Sequence, residues 1–217
     1  MKKIVAETYY IRHCPNPNCD LRFPAPQDSG IGVNCPKCKT ITKIAKEITL
    51  NHDIHSKNLE QTPSGSLEVV LDNVRSTFNV GAIFRTADGA GIAKIHLCGI
   101  TPPPTNLKVH KTALGAQDSM PYEVHNNCIQ LVKRLKQNGK RIWALEKTDI
   151  SHNLQGIKIK PEDQDTVLIV GNEIVGIDPE VLTLSELHLH IPMTGIKGSL
   201  NVAVAFGIAV YNLLDID

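Results

Sequence analysis

The chain has 217 residues, of which 41% are hydrophobic and only 4% aromatic, and its formal net charge is +1. That length suits one domain of ordinary size with a small appendage, packed around an aliphatic core. A charge so close to zero excludes nucleic-acid binding through a global field, so affinity for RNA has to come from a local basic patch.

The N-terminal MKKIVAETYYIRHC carries two lysines but too short an apolar run for a secretory signal, which predicts a cytoplasmic protein. Four of the six cysteines follow at once, as C-P-N-P-N-C (Cys14, Cys19) and C-P-K-C (Cys35, Cys38). Two short-spaced pairs joined by such a loop fit a zinc ribbon, in which tight turns let two thiolates from each pair close a tetrahedron. Pro15, Pro17 and Pro36 favour those turns. Two disulfides are the alternative, and the lack of a secretory signal weighs against them. A four-thiolate site leaves no open position, so this zinc would be structural. His13 adjoins Cys14 and is expected to be an exposed neighbour more than a ligand. TITKIAKEITL then alternates in the manner of a strand or hairpin, with Lys37, Lys39, Lys43 and Lys46 close together, which suits an RNA-contacting tip and a solvated surface equally. Residues 1–60 hold nine Lys/Arg against six Asp/Glu, and the remainder fourteen against sixteen. We therefore expect a zinc-ribbon-like domain over 1–50, a polar linker over 51–66 and a large domain over 67–217.

From Leu67 onward, short apolar runs alternate with helical patterns. LEVVLD, KIHLCG, RIWALE, TVLIVG and LHLHIP are candidate strands. Helices are expected from Val80, Cys128 and Asp178 and over the C-terminal apolar stretch. Gly139 stands where the second helix needs a C-terminal cap. This rhythm predicts an α/β fold, with a mostly parallel sheet and helices on both faces. TPPPTNLKVHKTALGAQ is expected to be a long Pro-rich connection that is functional or covers another element, and HNLQGIKIKPEDQD a short extra loop. Cys98 and Cys128 are expected to be buried thiols. Gly89 and Gly91 follow a helix instead of opening one, which rejects a dinucleotide fingerprint. The C-terminal stretch Leu200 to Leu214 is broken by Asn201, Gly207 and Asn212 and does not suit a membrane span.

Three segments share one local design, a buried strand running into a turn and a helix: Leu67 to Gly91, Thr166 to Leu182, and Leu187 to Leu214. Such a junction presents backbone N–H groups to a ligand. Taken singly, Asn79 suits a helix N-cap and Arg85 a surface ion pair. Gly81, one turn before Arg85, leaves room for a close approach on that face. Glu173 suits a helix-cap carboxylate, Ser199 an N-cap and Asn201 a first-turn position.

In wording and order the three segments, LEVVLDNVRSTFNVGAIFRTADGAG, TVLIVGNEIVGIDPEVL and LHLHIPMTGIKGSLNVAVAFGIAVYNLL, resemble the motif set of the SPOUT superfamily of methyltransferases, SpoU/TrmH branch. The resemblance implies RNA methylation from S-adenosylmethionine. The GNE and SLN wording favours the ribose 2′-hydroxyl of tRNA or rRNA over a base nitrogen, and the presence of Asn79, Arg85, Glu173, Ser199 and Asn201 together argues against a zinc-ribbon RNA-binding protein that holds the cofactor without catalysis. Asn79, Arg85, Glu173, Ser199 and Asn201 match the family's catalytic centre. Leu145, Gly171, Asn172, Glu173, Ile191, Met193, Ser199 and Leu200 match its cofactor-binding positions. The resemblance further implies a C-terminal trefoil knot and a homodimer with Arg85 facing the partner's cofactor. The expected partners are RNA and a second subunit, with neither DNA nor a membrane. The zinc ribbon departs from the branch's plainest members.

Overall fold

The computed structural model describes residues 6–51, 67–160, 163 and 165–216. The chain divides into two compact units, Met1–Glu60 and Gln61–Asp217. The expected linker, 51–66, lies outside the described residues except for Asn51, which ends a strand.

In the first unit, β1 (Ala6–His13), β2 (Arg22–Pro26) and β3 (Lys43–Asn51) form an antiparallel sheet in the order β2-β1-β3, with a bulge at Ile11/Arg12. The two cysteine pairs sit in matching turns. Cys19 donates its N–H to Asn16 O at 2.9 Å, and Lys39 donates to Cys35 O at 2.9 Å. Each turn closes on a residue of positive φ, Asp20 at 49° and Lys39 at 66°. The prolines preset each turn's entry, and the left-handed residue reverses the chain.

The second unit is built on seven parallel strands. These are β4 (Glu68–Asp72), β5 (Lys94–Cys98), β6 (Tyr122–His125), β7 (Arg141–Leu145), β8 (His152–Asn153), β9 (Thr166–Val170) and β10 (Leu187–His190). Their order is β6-β5-β4-β9-β7-β10-β8, and every pairing is parallel. All five residues of the central strand β9 are buried, as a strand covered on both faces requires.

Alternate side chains divide the core in two. Val69, Leu71, Ile95, Leu97, Leu168 and Val170 face one side, where Val80, Ile83 and Phe84 of α1 (Thr77–Gly89) and Phe206, Val210 and Leu213 of α6 (Val202–Leu214) cover them. Val70, Ile142, Ala144, Val167 and Ile169 face the other, under Leu131, Val132 and Leu135 of α4 (Cys128–Gln137) and Val181 of α5 (Pro179–Leu184). Each such aliphatic side chain, once buried, contributes roughly 1.5–3 kcal/mol. Helix α4 shows the local logic: Asn127 accepts the Gln130 N–H at 3.0 Å as N-cap, Lys133, Arg134 and Lys136 stay exposed, and Gly139 turns left-handed at φ 82°. Cys98 and Cys128 are buried, and the contact between them together with burial pushes the Cys128 thiol up.

The five expected strands and four expected helices are present. Strands β6 and β8 were not anticipated; β8 lies in HNLQGIKIKPEDQD, where residues 161, 162 and 164 fall outside the described set. The Pro-rich segment is more than a connection. It folds into α2 (Leu107–Ala113) and α3 (Ala116–Ser119), and α2 lies against α1 so closely that a Cβ on Gly81 would stand 2.7 Å from Thr112 Cβ. The room left by Gly81 is therefore taken by α2. Asn106, which accepts the Lys108 N–H at 3.0 Å, starts the α2 helix. Among the described residues no helix is long and apolar enough to cross a membrane.

Candidate active site

A cavity of about 290 Å³ opens at the carboxyl ends of β9, β7 and β10, the edge at which parallel α/β sheets receive ligands. Its floor is aliphatic, with Leu145, Val170, Leu189, Ile191, Val202 and Ala205, and Glu146, Asn172, Glu173 and Ser199 add polar groups. Leu145, Gly171, Asn172, Glu173, Ile191, Met193, Ser199, Leu200 and Asn201 all line it, so every expected cofactor-binding position borders one space.

Two amides and one carboxylate tie the motifs together beside this cavity. Asn201 caps α6, its Oδ1 accepting the N–H groups of Ala203 at 2.9 Å and Val204 at 3.3 Å. Its Nδ2 therefore points outward and donates to Asn79 Oδ1 at 2.9 Å. Asn79 in turn donates from Nδ2 to Glu173 Oε1 at 2.9 Å. Both ends of this relay are fixed, one by a helix N-terminus and the other by an acceptor-only carboxylate, so each amide has one consistent orientation. Glu173 also accepts the N–H groups of Arg75 at 3.0 Å and Ser76 at 2.9 Å. Burial alone would raise the Glu173 pKa, but these donors outweigh it and hold the carboxyl below its ordinary value.

The local readings of single residues change accordingly. Asn79 is not an N-cap: Ser76 fills that position, accepting the Asn79 N–H at 3.4 Å, and frees the Asn79 amide for the relay. Asn201, not Ser199, caps α6, and Ser199 lies exposed in the loop before it. Arg85 stands apart from the other four, exposed on α1, and it does not border the cavity.

The GNE turn explains its glycines. Asn172 and Gly176 exchange backbone bonds of 3.0 Å in both directions, so a Cβ on Gly171 would meet the Gly176 carbonyl carbon at 2.3 Å. Asn172 donates to the Asn73 carbonyl at 2.7 Å and accepts from Ile174 and Val175 at 2.9 and 3.2 Å, which locks the turn to the loop after β4. Two further groups escaped the sequence reading. Glu146, directly after β7, accepts the Ile177 N–H at 3.2 Å; buried Asp72 accepts the Asp178 N–H at 2.9 Å. Their signal was position, since each carboxylate ends a strand on the cavity side of the sheet.

In the first unit the sulfurs of Cys14, Cys19, Cys35 and Cys38 lie within 4.8 Å of one another, with Cys14–Cys38 at 3.4 Å and Cys19–Cys35 at 3.7 Å. Four thiolates about 2.3 Å from one zinc ion stand ~3.8 Å apart, so the donor set fits that metal. Burial pushes the Cys14 thiol up, whereas Thr40 beside Cys38 brings that thiol down. His13 Nε2 pairs with Asp20 Oδ1 at 2.6 Å and is not among the clustered donors.

The model of the SpoU rRNA Methylase family matches residues 66–211. The chain belongs to that family. It is 34% identical over 145 residues to the 23S rRNA (guanosine(2553)-2'-O)-methyltransferase RlmP of Bacillus subtilis, covering 67% of this chain and 56% of that protein. It is 31% identical over 145 residues to the tRNA (guanosine(18)-2'-O)-methyltransferase of Escherichia coli K12, covering 67% and 61%. The match thus spans somewhat over half the length of these relatives. A solved structure, the AdoMet-bound rRNA methyltransferase of Sinorhizobium meliloti, superposes with a TM-score of 0.64 at 30% identity, covering 70% of this chain and 57% of that one.

Proposed function

We propose that this SpoU-family chain is an S-adenosylmethionine-dependent RNA methyltransferase acting on a ribose 2′-hydroxyl of tRNA or rRNA. The observation that carries this reading is the Asn201–Asn79–Glu173 relay, which joins all three family motifs beside one cavity. The cavity's lining fits the cofactor: an aliphatic floor for a purine, and carboxylates and amides for the ribose and amino-acid end. Ile191, Met193 and Leu200 would hold the adenosine part, with Leu145, Gly171 and Asn172 completing the wall. When bound, the cofactor supplies a methyl group on a positively charged sulfur.

The chain's own work is positioning and charge stabilisation. Ser199 and Asn201 orient the hydroxyl and the methionyl end. Glu173, held ionised, keeps Asn79 and the Arg75–Ser76 turn in register with the cavity. Arg85 binds the phosphate next to the target ribose and stabilises the developing alkoxide, since a guanidinium stays protonated and presents a planar pair of donors. Its exposed place on α1, off the cavity of its own chain, is consistent with service to the cavity of a second subunit. A homodimer is therefore part of the proposal. The zinc ribbon, with its lysines, is assigned to RNA binding and the zinc ion to the four cysteines. A cytoplasmic location suits a reduced cysteine cluster.

Calorimetric titration with S-adenosylmethionine, followed by transfer of labelled methyl to RNA pools and nucleoside analysis, tests the reading. We expect one cofactor per subunit and 2′-O-methylated nucleosides as product. Arg85→Lys keeps the charge but loses the fork, and should slow transfer 10-fold or more while cofactor affinity holds. Base-methylated product, or a folded chain that binds no cofactor, would overturn the assignment.

A further inference from the structure

A second group of metal-ligating side chains lies on the α4 side of the sheet, at its β6 edge, and none of its members lines the cavity. His96 Nδ1 stands 3.1 Å from His125 Nε2, and Glu123 Oε2 lies 3.8 Å from the first and 3.5 Å from the second. The point equidistant from these three atoms is ~2.0 Å from each, which is the bond length zinc takes to imidazole nitrogen and carboxylate oxygen. Parallel pairing produces the cluster. His96 sits opposite Glu123 and Cys98 opposite His125, so two neighbouring strands deliver three side chains to one face.

The surroundings have the form of a metal site's outer layer. Glu68 Oε2 lies 2.8 Å from His96 Nε2 and Glu68 Oε1 2.9 Å from Lys140 Nζ. That carboxylate accepts a hydrogen bond from His96 Nε2–H, which leaves the Nδ1 lone pair facing His125 and fixes the ring. Lys94 occupies Glu123 Oε1 at 2.9 Å and leaves Oε2 facing the imidazoles. His96 is 3% exposed at its side chain, so the ring is set in the sheet and not on a mobile surface.

We propose that His96, His125 and Glu123 bind a divalent metal ion of the zinc class, with water as fourth ligand and Glu68 as the carboxylate that orients His96. Without metal the same atoms are satisfied by one shared proton. His125 Nε2–H donates to His96 Nδ1, and Arg134, 3.5 Å from His125 Nδ1, supports that tautomer. Metal binding at Nε2 requires the other tautomer of His125: its single ring proton shifts from Nε2 to Nδ1, where it no longer accepts from Arg134, so Arg134 has to turn aside. The ion ties the edge strand β6 to β5 and is independent of the four-cysteine site, from which it differs in donor chemistry.

The test titrates Zn²⁺ into the 217-residue chain, and Co²⁺ in parallel, while metal content and visible absorption are followed. The four-cysteine site gives thiolate charge-transfer bands with Co²⁺; the His/Glu site gives d–d bands alone. Wild-type chain should bind one equivalent more than Glu123→Gln or His125→Gln, with the thiolate bands equal in all three. Glu68→Gln should weaken that equivalent 10- to 100-fold. Nitrogen-15 spectra of the wild-type histidines give a reading that needs no variant, because the His96 Nδ1 and His125 Nε2 signals should move to metal-bound positions. Histidine signals untouched by saturating Zn²⁺, or equal stoichiometry in wild-type and both variants, would overturn the site.

Discussion

Asn79 Nδ2 and Glu173 Oε1 lie 2.9 Å apart, and their bond works only because one partner donates and the other cannot. Asn79→Asp keeps the shape and replaces the donor by a second carboxylate. At pH 7 the pair then repels and Glu173 loses this donor, while Asn201 Nδ2 can still donate to the carboxylate that replaces the amide. A loss of about 1–3 kcal/mol is expected in denaturant unfolding. One proton shared between two close carboxyls restores an O–H···O bond, so the folded-state pKa of the pair rises. The loss should therefore shrink as pH falls toward 5, and a penalty independent of pH would show that the relay is not what the substitution breaks. Glu173 in wild-type behaves in the opposite sense. Its folded pKa lies below the unfolded value, so its contribution is complete above ~4.3 and drains away as pH falls further. Glu173→Gln should flatten the acid limb of the stability curve between pH 5 and pH 3 relative to wild-type, again measured by denaturant unfolding.

At the level of elements, the α1–α2 contact turns on one missing methyl. A Cβ on Gly81 would fall 2.7 Å from Thr112 Cβ and 2.9 Å from the Ala113 nitrogen. Backbone cannot give way like a flexible side-chain end, so Gly81→Ala should cost on the order of 1–3 kcal/mol despite the better helix propensity of alanine. Adding Thr112→Ala removes only the side-chain part of the clash and should recover part of that loss; a neutral Gly81→Ala would mean that the helices separate freely. This contact also marks where sequence reading stops. LEVVLD, KIHLCG and TVLIVG declare themselves by short, mostly apolar runs, and α4 by its apolar stripe opposite lysines and arginines. TPPPTNLKVHKTALGAQ hides α2 and α3 behind three prolines and a seven-residue helix too short to show a period. Its true partner is Gly81, distant in sequence. The candidate site divides the same way. Gly171, Glu173 and Asn201 stand out by motif, whereas Glu146 and Asp72 matter only through the distant N–H groups of Ile177 and Asp178, which no local pattern announces. His96, Glu123 and His125 meet only once β5 and β6 are in register.

For the whole molecule, the telling feature is that α6 is apolar almost all round. Phe206, Ala209, Val210 and Leu213 face the core, yet Val204 (51% exposed), Ile208 (44%) and Tyr211 (42%) form a second stripe at spacings of four and three residues. A helix with apolar residues on both sides is expected to be covered on both. A second copy of the chain is the proposed cover, and it answers the isolation of Arg85, which neither borders its own chain's cavity nor takes part in the Asn201–Asn79–Glu173 relay. Two-fold pairing makes the stripe contact itself, so one substitution acts twice. Ile208→Asp places two carboxylates in a dry contact and should convert a particle of twice the 23.8 kDa chain mass into one of single mass by sedimentation. The cavity is lined within one chain, so the separated subunit should still bind S-adenosylmethionine. Methyl transfer should fall with dimer content and return when Ile208→Asp is mixed with an Ile208→Lys chain, whose opposite charge lets the two pair. Full activity in the monomer would place the reaction within one subunit and require Arg85 to reach its own cavity. Loss of cofactor binding along with the dimer would instead mean that α6 is needed to hold the cavity open.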